Sequence, residues 1–183
     1  MNHKDISSKL EHWIFYNWKL HPPEFFITLL WNDLPTSQER VSSYQRKFRN
    51  VFLTKLYHLS KTSKLKSLPF PKRTGMMIFN EKKEVFTSKS NRPIFTFHTH
   101  IHLCNTGNLF DDELSVESFI RDKCSDYLPT LLKTDTEGNR GVVVKEWNRD
   151  HHLHYNFKDL WSYQHHQDWD LLLDYQTSDL LPL

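Results

Sequence analysis

Residues Ile94-Phe-Thr-Phe-His-Thr-His-Ile-His-Leu103 constrain the fold of this chain more than any other stretch. Side chains alternate across a strand with a period of two. His98, His100 and His102 therefore share one face, and Phe97, Thr99, Ile101 and Leu103 share the other. The second face asks for a packed layer against it, and the flanking aromatics put the strand in the interior of a sheet. Same-face neighbours lie roughly 6–7 Å apart, and two neutral imidazoles at that spacing can converge on one divalent metal. The plainer alternative is a solvated strand face that carries histidine.

The 183 residues suit one compact domain spanning 1–183, with a core at about 24–166, an N-terminal helix at 5–20 and a C-terminal tail at 167–183. Aromatic residues make up 14% of the chain and supply core volume in the absence of any alanine. Cys104 and Cys124 form no paired pattern, so a reducing, cytoplasmic setting without a disulfide framework is expected. The polar start of the chain gives no sign of a signal peptide, and no run approaches membrane-spanning length.

The net charge of +2 hides an uneven distribution. From Arg40 to Arg92 there are fourteen Lys or Arg against two acids, Glu81 and Glu84. From Asp111 onward there are fifteen acids against seven bases. A middle third this basic can follow a phosphate backbone, although a solvated surface would read the same way. The residues placed on DNA are Arg46, Arg49, Lys64, Lys66, Lys72, Arg73, Lys82 and Lys83.

Along the chain, residues 5–20 read as an amphipathic helix ended by His21-Pro22-Pro23. Residues 24–33 read as a buried strand. Thr36 or Ser37 can cap a helix to about Leu59, with Val41, Tyr44, Phe48, Val51, Phe52, Leu56 and Leu59 on its packed face. Residues 60–74 have loop composition. A strand at 76–79, a polar stretch at 81–92 that turns the chain and the histidine strand make an antiparallel pair; with the turn near 88–92, Glu81 comes roughly level with the histidines. A helix at 113–132, which Pro129 can end early, a turn at Gly138, Asn139 and Gly141, a strand at 142–147 and a helix at 150–166 follow. The order βαββαβ predicts an α+β fold, a ferredoxin-like (RRM-like) antiparallel sheet with the histidine strand central and helices flanking it.

His100-Ile101-His102 resembles the metal motif of the HUH endonucleases, the replication initiators of rolling-circle plasmids and circular single-stranded DNA viruses, and relaxases. Tyr155-Asn-Phe-Lys158 resembles the family's Y-x-x-K pattern, and residues 24–33 faintly resemble its first motif. The resemblance implies metal ligation by His100 and His102, with Glu81 as third ligand and Glu84 as the alternative. His98-Thr99-His100 is a shifted alternative pair. It implies Mg²⁺ or Mn²⁺ as cofactor, and Tyr155 as nucleophile assisted by Lys158. The activity implied is sequence-specific nicking and joining of single-stranded DNA through a 5′-phosphotyrosine, initiating rolling-circle replication. A tyrosine hydroxyl is a weak nucleophile at neutral pH, so such chemistry needs a polarised phosphate.

Tyr163 and Tyr175 lack the following Lys. His151, His152 and His154 read as solvated surface, with metal or DNA binding as the alternative. No P-loop is present, so a helicase would act in trans, and a monomer is expected. The competing reading is a non-catalytic RRM-like nucleic-acid-binding module, which would carry exposed aromatics where this chain has histidines.

Overall fold

The computed structural model describes residues 3–59, 68, 72–85, 94–124, 128, 141–149, 151–152, 173–174 and 176–180. Its elements in order are α1 (His3–Leu20), β1 (Pro23–Leu29), α2 (Gln38–His58), β2 (Gly75–Val85), β3 (Ile94–Cys104), α3 (Glu113–Phe119) and β4 (Val142–Glu146). The four strands form one sheet in the order β2-β3-β1-β4, with every neighbouring pair antiparallel. The fold is thus α+β, and β3 is an interior strand as its aromatic flanks predict. The two helical connections each skip a strand: β1 reaches β2 across β3, and β3 reaches β4 across β1.

Alternation decides which face each residue serves. Phe25, Ile27 and Leu29 of β1 join Phe97, Ile101 and Leu103 of β3 in the larger core. That core is closed by Val41, Phe48, Phe52 and Leu56 of α2 and Val116 of α3. The α2 residues recur at helical spacing and form one seam. Ser37 caps α2, its hydroxyl accepting the Arg40 N–H. The opposite face carries a smaller cluster, in which Trp13, Ile14 and Trp18 of α1 pack on Met77, Phe79 and Cys104, together with Leu173.

Three boundaries differ from expectation. β1 stops at Leu29, before a turn in which Leu34 takes φ 47° and Pro35 follows. β2 runs on through residues 81–85, which the polar composition assigns to a turn. Backbone pairing of Val85 with Ile94 carries the ribbon outward without needing apolar side chains. The helix from Glu113 is α-helical only to Phe119, then widens into a π-turn at Ile120–Cys124. Its predicted continuation to 132 falls largely outside the described residues, as do Gly138 and Asn139 of the predicted turn. Arg149, His151 and His152 are helical, so a helical segment begins just after β4 as predicted.

The C-terminal residues are tied to the β2 edge. Asp174 donates its N–H to Ile78 O and Asp179 donates to Met76 O. The Asp179 carboxylate accepts from Arg49 Nη2 at 2.6 Å, Arg73 Nη2 at 3.1 Å and the Met76 N–H at 3.1 Å. The Met76–Phe79 part of this edge strand is thereby covered, which keeps its ladder from another chain.

Candidate functional site

The face of the sheet that carries the histidines also carries Phe26 and Thr28 from β1, Phe79 and Glu81 from β2, and Val143 and Lys145 from β4, by strand alternation and register. Glu81 is the cross-strand partner of His98, one step diagonally from His100. His100 Nε2 lies 2.9 Å from Glu81 Oε2, and His100 Nδ1 lies 3.1 Å from Thr28 Oγ1. The His100 ring is 2% exposed and stacks on Phe26 at 5.2 Å and 16°. Its two contacts are compatible with either neutral tautomer and with the imidazolium, whose two N–H groups would donate to Glu81 and Thr28. With Nδ1–H donating to Thr28, Nε2 is a bare nitrogen beside a carboxylate. With the proton on Nε2, the ring donates to Glu81 and accepts the Thr28 hydroxyl.

His102 behaves differently, and the expectation that it pairs with His100 on a metal needs correction. It is fully buried among Phe26, Phe79, Trp18 and Trp147, with the nearest ring centroids 4.3–4.5 Å away. Its Nδ1 accepts the indole N–H of Trp18 at 3.0 Å. Burial holds its pKa well below the ordinary value, with the charges of His152 and His100 acting the same way. A neutral ring that accepts at Nδ1 carries its proton on Nε2, so neither nitrogen is a ligand in this arrangement. His102 serves as a polar pin between α1 and the sheet.

Two of the three predicted ligands, His100 and Glu81, are therefore brought together. The donor set fits a divalent cation in part: an imidazole oriented by a neighbouring hydroxyl lies against a carboxylate oxygen. His98 lies on the same face two residues from His100 and opposite Glu81, so the shifted pair suits the geometry better. Among the described residues no group of three or more His, Cys, Asp or Glu is placed to hold a metal. The backbone of Glu84 lies in β2. Tyr155, Lys158, His154, Tyr163 and Tyr175 lie outside the described residues.

The basic residues separate into two groups. Arg49 and Arg73, expected on DNA, instead hold the Asp179 carboxylate, whose side chain is 3% exposed. Arg46 donates to Gln176 at 3.4 Å, beside a groove that also contains Glu39 and Asp174. The acids make that groove a poor phosphate path. Lys82 and Lys83 stand on the outer β2–β3 ribbon, with Lys82 Nζ 4.7 Å above the Phe95 ring. Lys72 is exposed, while Lys64 and Lys66 lie outside the described residues.

Sequence reasoning missed Thr28, Phe26 and Trp18. Thr28 had a readable signal, a lone hydroxyl on the face of β1 opposite Ile27 and Leu29. His152 also departs from its reading as solvated surface: it is 3% exposed and stacks on Phe26 at 4.3 Å and 6°.

No family model, curated protein or solved structure matches this chain. Among the described residues no helix is long and apolar enough to cross a membrane.

Proposed function

We propose that this chain is a nuclease domain of the HUH kind, with a ferredoxin-like sheet, that nicks and rejoins single-stranded DNA to initiate rolling-circle replication. The observation that carries the reading is the 2.9 Å contact between His100 and Glu81 on the histidine face of an interior strand, in a sheet ordered β2-β3-β1-β4. A divalent cation, Mg²⁺ or Mn²⁺, held by Glu81 and His100 with His98 in place of His102, would polarise the scissile phosphate.

The chain's own residues supply the rest. Thr28 fixes the orientation of the His100 ring, as partners of ligand imidazoles commonly do. Tyr155 is the nucleophile. Its oxygen forms a bond to phosphorus while the bond to the 3′ oxygen breaks. The phenol gives up its proton and the departing 3′ oxygen gains one, leaving a 5′-phosphotyrosine and a free 3′-hydroxyl. Lys158, three residues on, stabilises charge that develops at the phosphate. Lys82 and Lys83 contact phosphates of the bound strand.

The experiment is incubation of the full chain with a pool of single-stranded oligonucleotides and Mn²⁺, followed by a denaturing gel. The reading expects a covalent protein–DNA band that requires metal. DNA binding without any adduct, across metals and pools, would favour the RRM-like binding module instead.

A further inference from the structure

The histidine face holds a second feature beside the His100–Glu81 pair. A cavity of about 150 Å³ opens over β1 and β4, lined by Phe26, Thr28, Val143, Lys145, His151 and His152. His152 forms one wall and is oriented from two sides. Its ring lies flat on Phe26, and its Nδ1 accepts the Asn148 backbone N–H at 2.9 Å. A neutral ring bonded in that way carries its remaining proton on Nε2. That Nε2 is buried and meets no acceptor among the described residues. A buried donor without an acceptor is costly, and such a group calls for an explanation.

The charges around the cavity say what the acceptor is. Lys145 is exposed and makes no ion pair or hydrogen bond among the described residues. Among the described residues, the charged groups that act on His152 are His151, Lys145 and His100, all potential cations, with no carboxylate. A metal ion would meet an N–H and an ammonium here, so the cavity suits an anion. Thr28 adds a hydroxyl, and the same oxygen touches His100 Nδ1 at 3.1 Å. Two residues that line the cavity, Thr28 and Phe26, therefore contact His100.

We propose that this cavity binds a phosphate group of a nucleic-acid strand, with His152 Nε2–H and Lys145 as donors and Thr28 completing the seat. The identity of the strand rests on the nuclease reading above: the seated phosphate would be a neighbour of the one cut, and His152 and Lys145 would be positioning residues.

The test uses the full chain at pH 7.5 and constant ionic strength, with inorganic phosphate as the probe and chloride and acetate as controls. Ring ¹⁵N–¹H spectra should show His152 Nε2 moving saturably with phosphate and not with chloride or acetate. Lys145→Gln, a change at an exposed residue that leaves the core untouched, should weaken phosphate binding about tenfold, as expected for loss of one charge-assisted hydrogen bond. The same variant should lower the magnitude of the log–log salt slope for single-stranded DNA binding by about one. The proposal is overturned if phosphate moves the His152 signal no more than the controls do, or if Lys145→Gln binds phosphate as the wild type does. Phosphate binding at His152 without any covalent adduct would leave the site standing and remove the nuclease reading. An adduct without phosphate binding would do the reverse.

Discussion

Arg49 and Arg73 offer the sharpest separation between a structural and a DNA-binding role. Their shared partner Asp179 is 3% exposed, whereas Arg49 is 22% and Arg73 41% exposed. Asp179→Ala removes the acceptor of both guanidinium contacts and of the Met76 N–H. Breaking a buried pair by deleting one partner costs about 3–5 kcal/mol. Both arginines keep some access to water, which screens their loss and puts the cost near the lower end, about 3 kcal/mol. For a domain of this size that corresponds to a melting-temperature drop of roughly 6–12 °C. Circular dichroism melts of Asp179→Ala, Arg49→Ala and the double variant form a cycle with an expected coupling of about 1–3 kcal/mol. A melting temperature within about 2 °C of wild type, or a coupling under about 0.5 kcal/mol, would refute the clasp. It would return Arg49 to the candidates for phosphate contact.

Acid should destabilise the protein through its buried histidines. Burial holds His21 and His152 at about 4 and His102 well below its ordinary value. The unfolded chain takes up protons below about 6.5 that the folded one refuses, so their contribution is full above that pH and falls as pH drops toward 4. Urea midpoints should be lower at pH 5 than at pH 7.5, and equal midpoints would contradict this. Mn²⁺ calorimetry should show binding weakened at least about tenfold by Glu81→Gln and changed by less than about twofold by His102→Gln, in keeping with a ligand carboxylate and a non-ligand imidazole. The reverse ranking would restore His102 to the metal. Gly75→Ala should destabilise the fold by about 1–3 kcal/mol through overpacking, because its Cβ would sit 2.5 Å from His21 Cε1 and 3.1 Å from Asp179 Cβ. A thermal melt matching wild type would show that this corner can relax.

Local pattern carried the element types well. The α2 seam as far as Leu56, a cap at Thr36 or Ser37 and the alternation of β3 follow from spacing, and Glu81 comes level with the histidines once the turn is put near 88–92; Leu59, read into the seam, is the exposed C-cap. What spacing cannot show is which partner arrives from far along the chain. The same alternation that puts His100 and His102 on one face leaves open that Trp18, 84 residues away, takes the second. Arg49 and Arg73 look like free cations until Asp179 reaches them across 130 and 106 residues. The polar run at 81–85 hides a strand because a ribbon edge is held by backbone hydrogen bonds and needs no apolar side chains. His152 read as surface because its stacking partner Phe26 belongs to the first strand, far away in sequence.

The central claim is that a tyrosine of this chain, Tyr155, becomes covalently joined to the 5′ side of a cut DNA strand. Mass spectrometry of the digested protein after reaction with single-stranded oligonucleotides and Mn²⁺ locates the modified residue directly. The account predicts a nucleotide phosphate on the peptide that contains Tyr155, abolished by Tyr155→Phe with fold and DNA binding retained, and slowed but not abolished by Lys158→Ala. A modified peptide containing Tyr163 or Tyr175 would misplace the nucleophile, and the absence of any modified peptide across metals and oligonucleotide pools would contradict the nuclease itself.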